Sequence, residues 1–407
     1  MKFTEGGVTA AKGFEAAGAE AQIKYKNRMD MALVYSKVPC VSAGTFTSNV
    51  VKAAPVLWDK NIVDTKETAQ AVVVNSGIAN ACTGKQGMDI CKKEAECAGR
   101  LLGIPADAVL VASTGVIGMQ IPEDRICAGI EKLAAAKTDT LKAGNDAARA
   151  IMTTDTVFKE VAVEIELSGK KVTLGGMCKG SGMIHPNMCT MLGFVTTDAA
   201  ISKELLVKAV KKDVIDSFNM ISVDGDTSTN DTLLVLANGM AENPVITEEN
   251  EDYKVFCEAL HAVTTTLAKK MAGDGEGATA LFETKVIHAD TKQNARILAK
   301  SVICSSLTKA AIFGHDANWG RILCALGYFV VNFDPENVDL YFEAEGKKMA
   351  IFGKGVACDY SEEEASAILS CKEVTALVDM HMGEESATAW GCDLSYDYVK
   401  INADYRS

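Results

Sequence analysis

The chain has 407 residues, 48% of them hydrophobic and 23% charged, the make-up of a folded globular protein rather than a disordered tail. Lys and Arg number 41 against 54 Asp and Glu, a formal net charge of −13, and no basic cluster offsets it, which argues against a nucleic-acid binder. The opening Met1-Lys2-Phe3-Thr4-Glu5-Gly6-Gly7 lacks the apolar core of a signal peptide, and no run of ~18 apolar residues could span a membrane, so a cytoplasmic protein is expected.

In chain order, Ala71-Val72-Val73-Val74 reads as a buried strand and residues 88–102 as a helix. Val109-Leu110-Val111 is again strand-like, and Pro122 opens a helix over residues 123–136. Val161, Val163, Ile165 and Leu167 alternate with polar neighbours, the period of a half-buried strand. Ser202 can cap a helix running to about Asn219, and residues 294–313 have a helical pattern. Residues 338–342 and 374–379 are further strands. The class is therefore mixed α/β; composition marks no domain boundary, and no internal repeat is present.

Thirteen cysteines, an odd number scattered from Cys40 to Cys392, include no C-x-x-C pair. The five histidines, His185, His261, His288, His315 and His381, have no i, i+4 spacing. Zinc-ligand patterns are absent, so the thiols read as small buried hydrophobes in a reducing compartment and no metal is expected. Three motifs fail on context. Residues 273–278 fit G-x-G-x-x-A, but a helical run ending at Met271 precedes them where a dinucleotide fingerprint needs a strand. Asp224-Gly225-Asp226-Thr227-Ser228 opens like a calcium loop but has Thr229 and Val235 where Gly and Glu are required, so it reads as a polar surface connection. Gly84-Lys85 is followed by Gln86, not the Ser or Thr of a phosphate loop.

Residues 179–195 carry the chemistry. Glycines, a proline and an asparagine make a loop up to Cys189, and from Thr190 the chain turns apolar and should enter a buried strand. An intact threonine hydroxyl is a poor nucleophile. Breaking the Cys189–Thr190 bond would give Thr190 a free α-amine that titrates near ~8, a base beside its own hydroxyl. The same hydroxyl could cut the bond by attacking the Cys189 carbonyl. Cys189, Ser181 and His185 are rival nucleophiles; Cys189 would end as a new C-terminus, a poor acyl carrier. Residues 111–118 form a strand ending in a small-residue turn, where the Thr114 hydroxyl and a backbone N–H can face an oxyanion.

Together these segments resemble the ornithine acetyltransferase family, the self-processing glutamate N-acetyltransferases of arginine biosynthesis. The resemblance rests on Gly7-Val8-Thr9-Ala10-Ala11-Lys12-Gly13-Phe14, Val74-Asn75-Ser76-Gly77-Ile78-Ala79-Asn80-Ala81-Cys82, Ser113-Thr114-Gly115-Val116-Ile117-Gly118, residues 179–192, Gly273-Asp274-Gly275-Glu276-Gly277-Ala278-Thr279 and Tyr398-Val399-Lys400-Ile401-Asn402-Ala403-Asp404-Tyr405, in that order.

It implies ping-pong transfer of acetyl from N-acetylornithine to Thr190 and then to glutamate, with no cofactor; acetyl-CoA as a second donor is left open. It implies Thr114 and Gly115 for the oxyanion, Lys179 for a substrate carboxylate, Glu276 for an amino group, and Thr153 (or its neighbour Thr154), Asn402 and Ser407 for binding. Cys189 stands where the family commonly has Ala, and Ser407 where it commonly has Thr; both keep the size or the hydroxyl. The implied fold is a mixed α/β sandwich of two fragments, 1–189 and 190–407, two copies of each. A self-processed amidohydrolase or aminopeptidase, in which water takes the acyl group, is the alternative.

Overall fold

The computed structural model describes residues 1–185 and 191–405. Cys189, Thr190 and Ser407, three of the residues singled out above, lie outside the described residues. In chain order the first half gives β1 (Lys2–Thr4), β2 (Phe14–Ala19), β3 (Met31–Phe46), α1 (Ala54–Thr65), β4 (Thr68–Ile78), α2 (Gly84–Leu102), β5 (Val109–Val116), α3 (Glu123–Ala136), α4 (Leu141–Ala150), β6 (Lys159–Leu167) and β7 (Lys170–Lys179). The second gives β8 (Leu192–Thr197), α5 (Lys203–Asp213), β9 (Thr232–Ala237), α6 (Glu251–Gly273), β10 (Leu281–Ala289), α7 (Lys292–Cys304), α8 (Ser306–Phe313) and α9 (Trp319–Gly327). It closes with β11 (Asp339–Ala344), β12 (Lys347–Gly353), β13 (Val356–Ala357), α10 (Glu362–Leu369), β14 (Glu373–Asp379), β15 (Glu385–Cys392) and α11 (Tyr396–Asp404).

Two sheets result. The larger runs β1-β6-β7-β8-β9-β3-β4-β5, with β2 on β3; the smaller runs β13-β12-β11-β14-β10-β15. Helix α6 packs on β6 and β7 of the first sheet and on β15 and β10 of the second, so the architecture is a layered α/β sandwich. One core joins Val163, Ile165 and Leu174 of the first sheet to Phe256 and Val263 of α6 and Phe282 and Val286 of the second. Strands β4 and β5 are buried on both faces: Val72, Val74 and Leu110 enter one core while Ala71, Val73, Val109 and Val111 enter another. That double burial is why residues 71–74 read as an unbroken apolar run instead of an alternating one.

The expected elements at 123–136, 161–167, 338–342 and 374–379 hold within a residue or two, those at 71–74, 88–102 and 109–111 extend three to five residues further, and two others fail for a common reason. The helix capped by Ser202, whose side chain accepts from Leu205 N, ends at Asp213 and not near Asn219. Val214 and Phe218 beyond it are fully buried, so the apolar pattern continues through a turn that is no longer α-helical. Residues 294–313 are two helices broken at Ser305, which ends α7 and caps α8 by accepting from Thr308 N. The cysteine expectation also needs amending. Cys40, Cys91, Cys97, Cys178 and Cys392 are buried, but Cys82 and Cys324 are exposed; all twelve described cysteines are free thiols.

The segment of interest lies mid-sheet. β7 ends at Lys179, β8 starts at Leu192, and these two residues are direct register partners in an antiparallel pair. The two strand ends that flank residues 180–191 therefore sit side by side. β8 then pairs in parallel with β9, and β9 antiparallel with β3, so two strands that follow Thr190 are flanked on both sides by strands that precede it.

Candidate active site

The C-terminal end of β5 forms one wall. Thr114 and Gly115 lie opposite Ser76 and Gly77 of the parallel β4, where the register slips. Gly115 has φ +129°, and a Cβ there would sit 2.2 Å from the Gly77 carbonyl carbon, so only glycine permits this approach. Asn230 fixes the turn from the far side, its amide donating to Ser113 O at 2.8 Å and Ala79 O at 2.6 Å.

Lys179 closes the next wall. It is the last residue of a buried strand, not a solvated loop lysine, and its Nζ donates to the Thr114 hydroxyl at 3.3 Å. Burial pushes its ammonium below the ordinary lysine range, and the Asp155 carboxylate opposes that push. Glu276 comes from the loop after α6. It too is buried, and its backbone N–H donates to Ser181 O at 2.8 Å. Its Oε2 accepts from the Asn402 amide at 2.7 Å, so the C-terminal helix α11 is pinned to the glycine-rich loop. Gly182 faces this carboxylate so closely that a Cβ would lie 2.3 Å from Oε2.

Thr114, Gly115, Thr153, Thr154, Lys179, Glu276 and Asn402 line a single cleft of about 730 Å3 of empty space open to solvent. Met191, the residue after Thr190 in sequence, lines it as well, beside Leu192, Asn230 and Tyr405. Seven sequence-proposed residues from five separated segments thus converge, with a lysine and a glutamate side chain in one cleft. That pairing suits a small zwitterion. Of the rival nucleophiles, Ser181 is buried with its hydroxyl 2.7 Å from that of Thr154. His185 has Nδ1 3.1 Å from the Ser222 hydroxyl, and burial holds its imidazole down to about 4, so the ring is neutral at physiological pH. It lines a different cavity, with Lys300 and Cys304.

Sequence reading passed over the network that holds these walls together. Lys159, fully buried, donates to Asp155 Oδ1 at 2.7 Å and Asp274 Oδ2 at 2.5 Å. Asp155 also accepts from Gly180 N at 2.7 Å and Thr153 N at 3.0 Å, and Asp274 accepts from Thr156 N at 3.1 Å. Burial drives the Asp155 carboxyl up, but the Lys179 and Lys159 ammoniums outweigh it, and the group lies at about 2. Asp155 and Asp274 sit inside the T-T-D and G-D-G runs, so the acidic letter in each was the available signal. Asp224 is another revision. Instead of a mere surface connection, it accepts from Met183 N at 2.6 Å and Ile184 N at 2.8 Å, bracing the loop before residue 186. The G-x-G-x-x-A run follows helix α6 directly, as its sequence context indicated, and contributes Glu276 to the cleft.

Among the described residues, the one His/Asp group spaced for a metal ion is His288, Asp379 and His381, outside this cleft. None of the described helices is long and apolar enough to cross a membrane.

Comparison with known proteins gives concordant results. The family model described as the ArgJ family matches residues 15–407. The chain is 54% identical over 409 residues to the arginine biosynthesis bifunctional protein ArgJ of Symbiobacterium thermophilum, with 100% of each covered. It is 52% identical over 402 residues to ArgJ 1 of Clostridium acetobutylicum, covering 98% of this chain and 97% of that one. Among solved structures, arginine biosynthesis bifunctional protein argJ from Bacillus halodurans is 45% identical with a TM-score of 0.51; the match takes in 53% of this chain and 100% of that chain.

Proposed function

Because the chain belongs to the ArgJ family, we propose that it carries the acetyl group of N-acetyl-L-ornithine to L-glutamate through an ester on Thr190. It is an acyltransferase of arginine biosynthesis. The observation that carries the residue-level reading is the convergence of Thr114, Gly115, Lys179, Glu276 and Asn402 on the cleft that Met191 also lines.

In this reading the Thr190 hydroxyl first attacks the Cys189 carbonyl, and water hydrolyses the resulting ester to leave a free α-amine on Thr190. That amine then takes the hydroxyl proton as Thr190 Oγ attacks the acetyl carbonyl of N-acetylornithine. The Thr114 hydroxyl and Gly115 N–H stabilise the oxyanion; removing one such donor elsewhere costs on the order of 10²–10³ in rate. Collapse expels ornithine, whose nitrogen takes the proton. Glutamate's amine attacks the acetyl ester, N-acetylglutamate leaves, and the Thr190 oxygen is reprotonated.

Lys179 faces a substrate carboxylate and Glu276 a substrate ammonium, with Asn402 holding Glu276 in place. Thr154 is engaged with Ser181, which favours Thr153 as the binding hydroxyl. Ser407 is proposed as a further binding hydroxyl on family resemblance alone.

The two-fragment organisation, 1–189 and 190–407, follows from cleavage at that bond. The sheet order supports fragments that stay together, since β8 and β9 are held between β7 and β3. The Bacillus halodurans chain, wholly matched by about half of this one, is what a separate fragment would give. An assembly of two copies of each and a cytoplasmic location are proposed on the same footing.

Incubating purified protein with N-acetylornithine, with and without glutamate, tests the proposal. Ornithine and N-acetylglutamate formed in step support it; acetate released without glutamate consumption points to the amidohydrolase or aminopeptidase alternative. Acetyl-CoA with glutamate is the second donor pair to assay.

A further inference from the structure

A second cluster of chemistry-bearing side chains lies at one end of the smaller sheet and shares no residue with the cleft. It has four members. His288 is the penultimate residue of β10, at the irregularity between Val286 and Ala289 in its pairing with β15. Asp379 ends β14, His381 follows two residues later, and Asp339 opens β11. Register brings them together: Ile287 partners Asp379 across the parallel β10–β14 pair, and Asp339 partners Asp379 across β11–β14.

The arrangement brings like charges together, and the His381 N–H donates to Asp379 Oδ1 at 3.1 Å between them. Two carboxylates directly opposite on neighbouring strands repel. Both histidines also adopt left-handed backbone, φ +54° for His288 and +49° for His381, uncommon for non-glycine residues. Those conformations turn both rings to one side, where their centroids stack 6.3 Å apart. The turn behind them is held by Met382 N and Gly383 N, which donate to His288 O at 2.7 and 2.9 Å.

The ligand geometry suits a small ion. Asp379 Oδ1 lies 2.8 Å from His288 Nδ1 and 3.4 Å from His381 Nδ1, and one donor atom from each of the three residues falls within 4.8 Å of the others. Tetrahedral zinc with bonds of ~2.0–2.1 Å sets its ligands about 3.3 Å apart, so small side-chain rotations suffice. The fourth residue completes the pattern. His381 Nε2 is 2.8 Å from Asp339 Oδ2, the outer carboxylate that orients a ligating imidazole and leaves Nδ1 for the metal.

The geometry points to a divalent transition-metal site, Zn2+ or Co2+, formed by His288, Asp379 and His381, with Asp339 behind His381 and water completing the shell. Mixed imidazole and carboxylate donors fit this class and not the all-oxygen preference of Ca2+ or Mg2+. His288 and His381 are half exposed, which leaves open coordination positions. The ion would tie together β10, β11 and β14, a staple for the second sheet with no part in acetyl transfer. Bound only by the folded state, it would raise thermal stability.

Chelator-stripped, reduced full-length protein titrated with Co2+ provides the test, read by visible d–d absorption. The expected result is one equivalent bound per chain without thiolate charge-transfer bands, displaced by Zn2+, and a melting temperature raised by Zn2+. His288→Gln and His381→Gln should abolish both effects, and Asp339→Asn should weaken binding by about 10–100-fold. All three variants should keep wild-type acetyl transfer, which shows that they fold. Absent binding, binding unchanged in either histidine variant, or spectra dominated by charge transfer from exposed thiols such as Cys82 and Cys324 would each overturn the site. The two histidines would then serve only as hydrogen-bond partners of the two aspartates.

Discussion

Replacing Asp155 by Asn probes the frame of the cleft with almost no change of shape. Asp155 Oδ1 accepts from both Lys159 Nζ and Gly180 N, and Oδ2 accepts from Thr153 N. An amide has one oxygen, so whichever way it is placed its NH2 faces at least one of these donors. Leaving a buried donor unsatisfied costs about 1–3 kcal/mol. The charge is lost as well. A carboxyl held at about 2, against ~3.9 unfolded, contributes on the order of 2 kcal/mol at neutral pH. The two together reach about 3–5 kcal/mol, the range for breaking a buried ion pair from one side. At about 2.1 cal/mol/K of unfolding entropy per residue, a 407-residue fold loses about 1 °C of Tm per kcal/mol, so a loss on the order of 5 °C is expected by calorimetry. Thr153 and Gly180, the neighbour of Lys179, should shift too, raising KM for N-acetylornithine. A variant melting within about 2 °C of wild type, with unchanged KM, would refute the role given to this network.

Other expectations follow from single contacts. Gly182→Ala places a methyl 2.3 Å from Glu276 Oε2; the carboxylate must leave Asn402, and steady-state kinetics should show KM for N-acetylornithine raised about tenfold or more, as for loss of a charged hydrogen bond. Lys179 is cationic only below its lowered pKa, so affinity for a substrate carboxylate should fall as pH rises, beginning below the ~10.4 of an ordinary lysine; a pH series of KM for glutamate checks this. Because Asp155 is depressed in the fold, its contribution to stability is complete above the unfolded value of ~3.9 and lost as pH falls towards about 2, so acid unfolding of wild type, but not of Asp155→Asn, should steepen between roughly pH 4 and 2. Cleaved protein should elute as one complex and release its fragments only in denaturant, since β8 and β9 lie between strands of the other fragment.

What the sequence disclosed divides by range of interaction. Residues 71–74 and the alternation at 161–167 were legible because strand burial writes itself at periods of one and two. Ser202 was legible as a cap because capping is local. The end of α5 was not, since Val214 and Phe218 stay apolar for a core the chain reaches by turning. The break at Ser305 was hidden because apolar residues continue through it, and serine can equally be helix interior or cap.

At the site, Lys179, Glu276 and Asn402 were found through family likeness; residue chemistry alone would have left them on the surface. The Asp155–Lys159–Asp274 network escaped because Lys159 and Asp274 are 115 positions apart. The His288–Asp379–His381 group escaped for a similar reason: strand register brings His288 to Asp379 and His381 from 91 positions before Asp379.

Acetyl transfer by this route requires an acetyl ester at Thr190, and intact-mass spectrometry of protein given N-acetylornithine without glutamate measures it directly. A fragment that begins at Thr190 should gain one acetyl group and lose it when glutamate is added, while Thr190→Ala stays uncut and unlabelled. Active protein that remains a single unbroken chain, or a cut chain labelled elsewhere than Thr190, would contradict it.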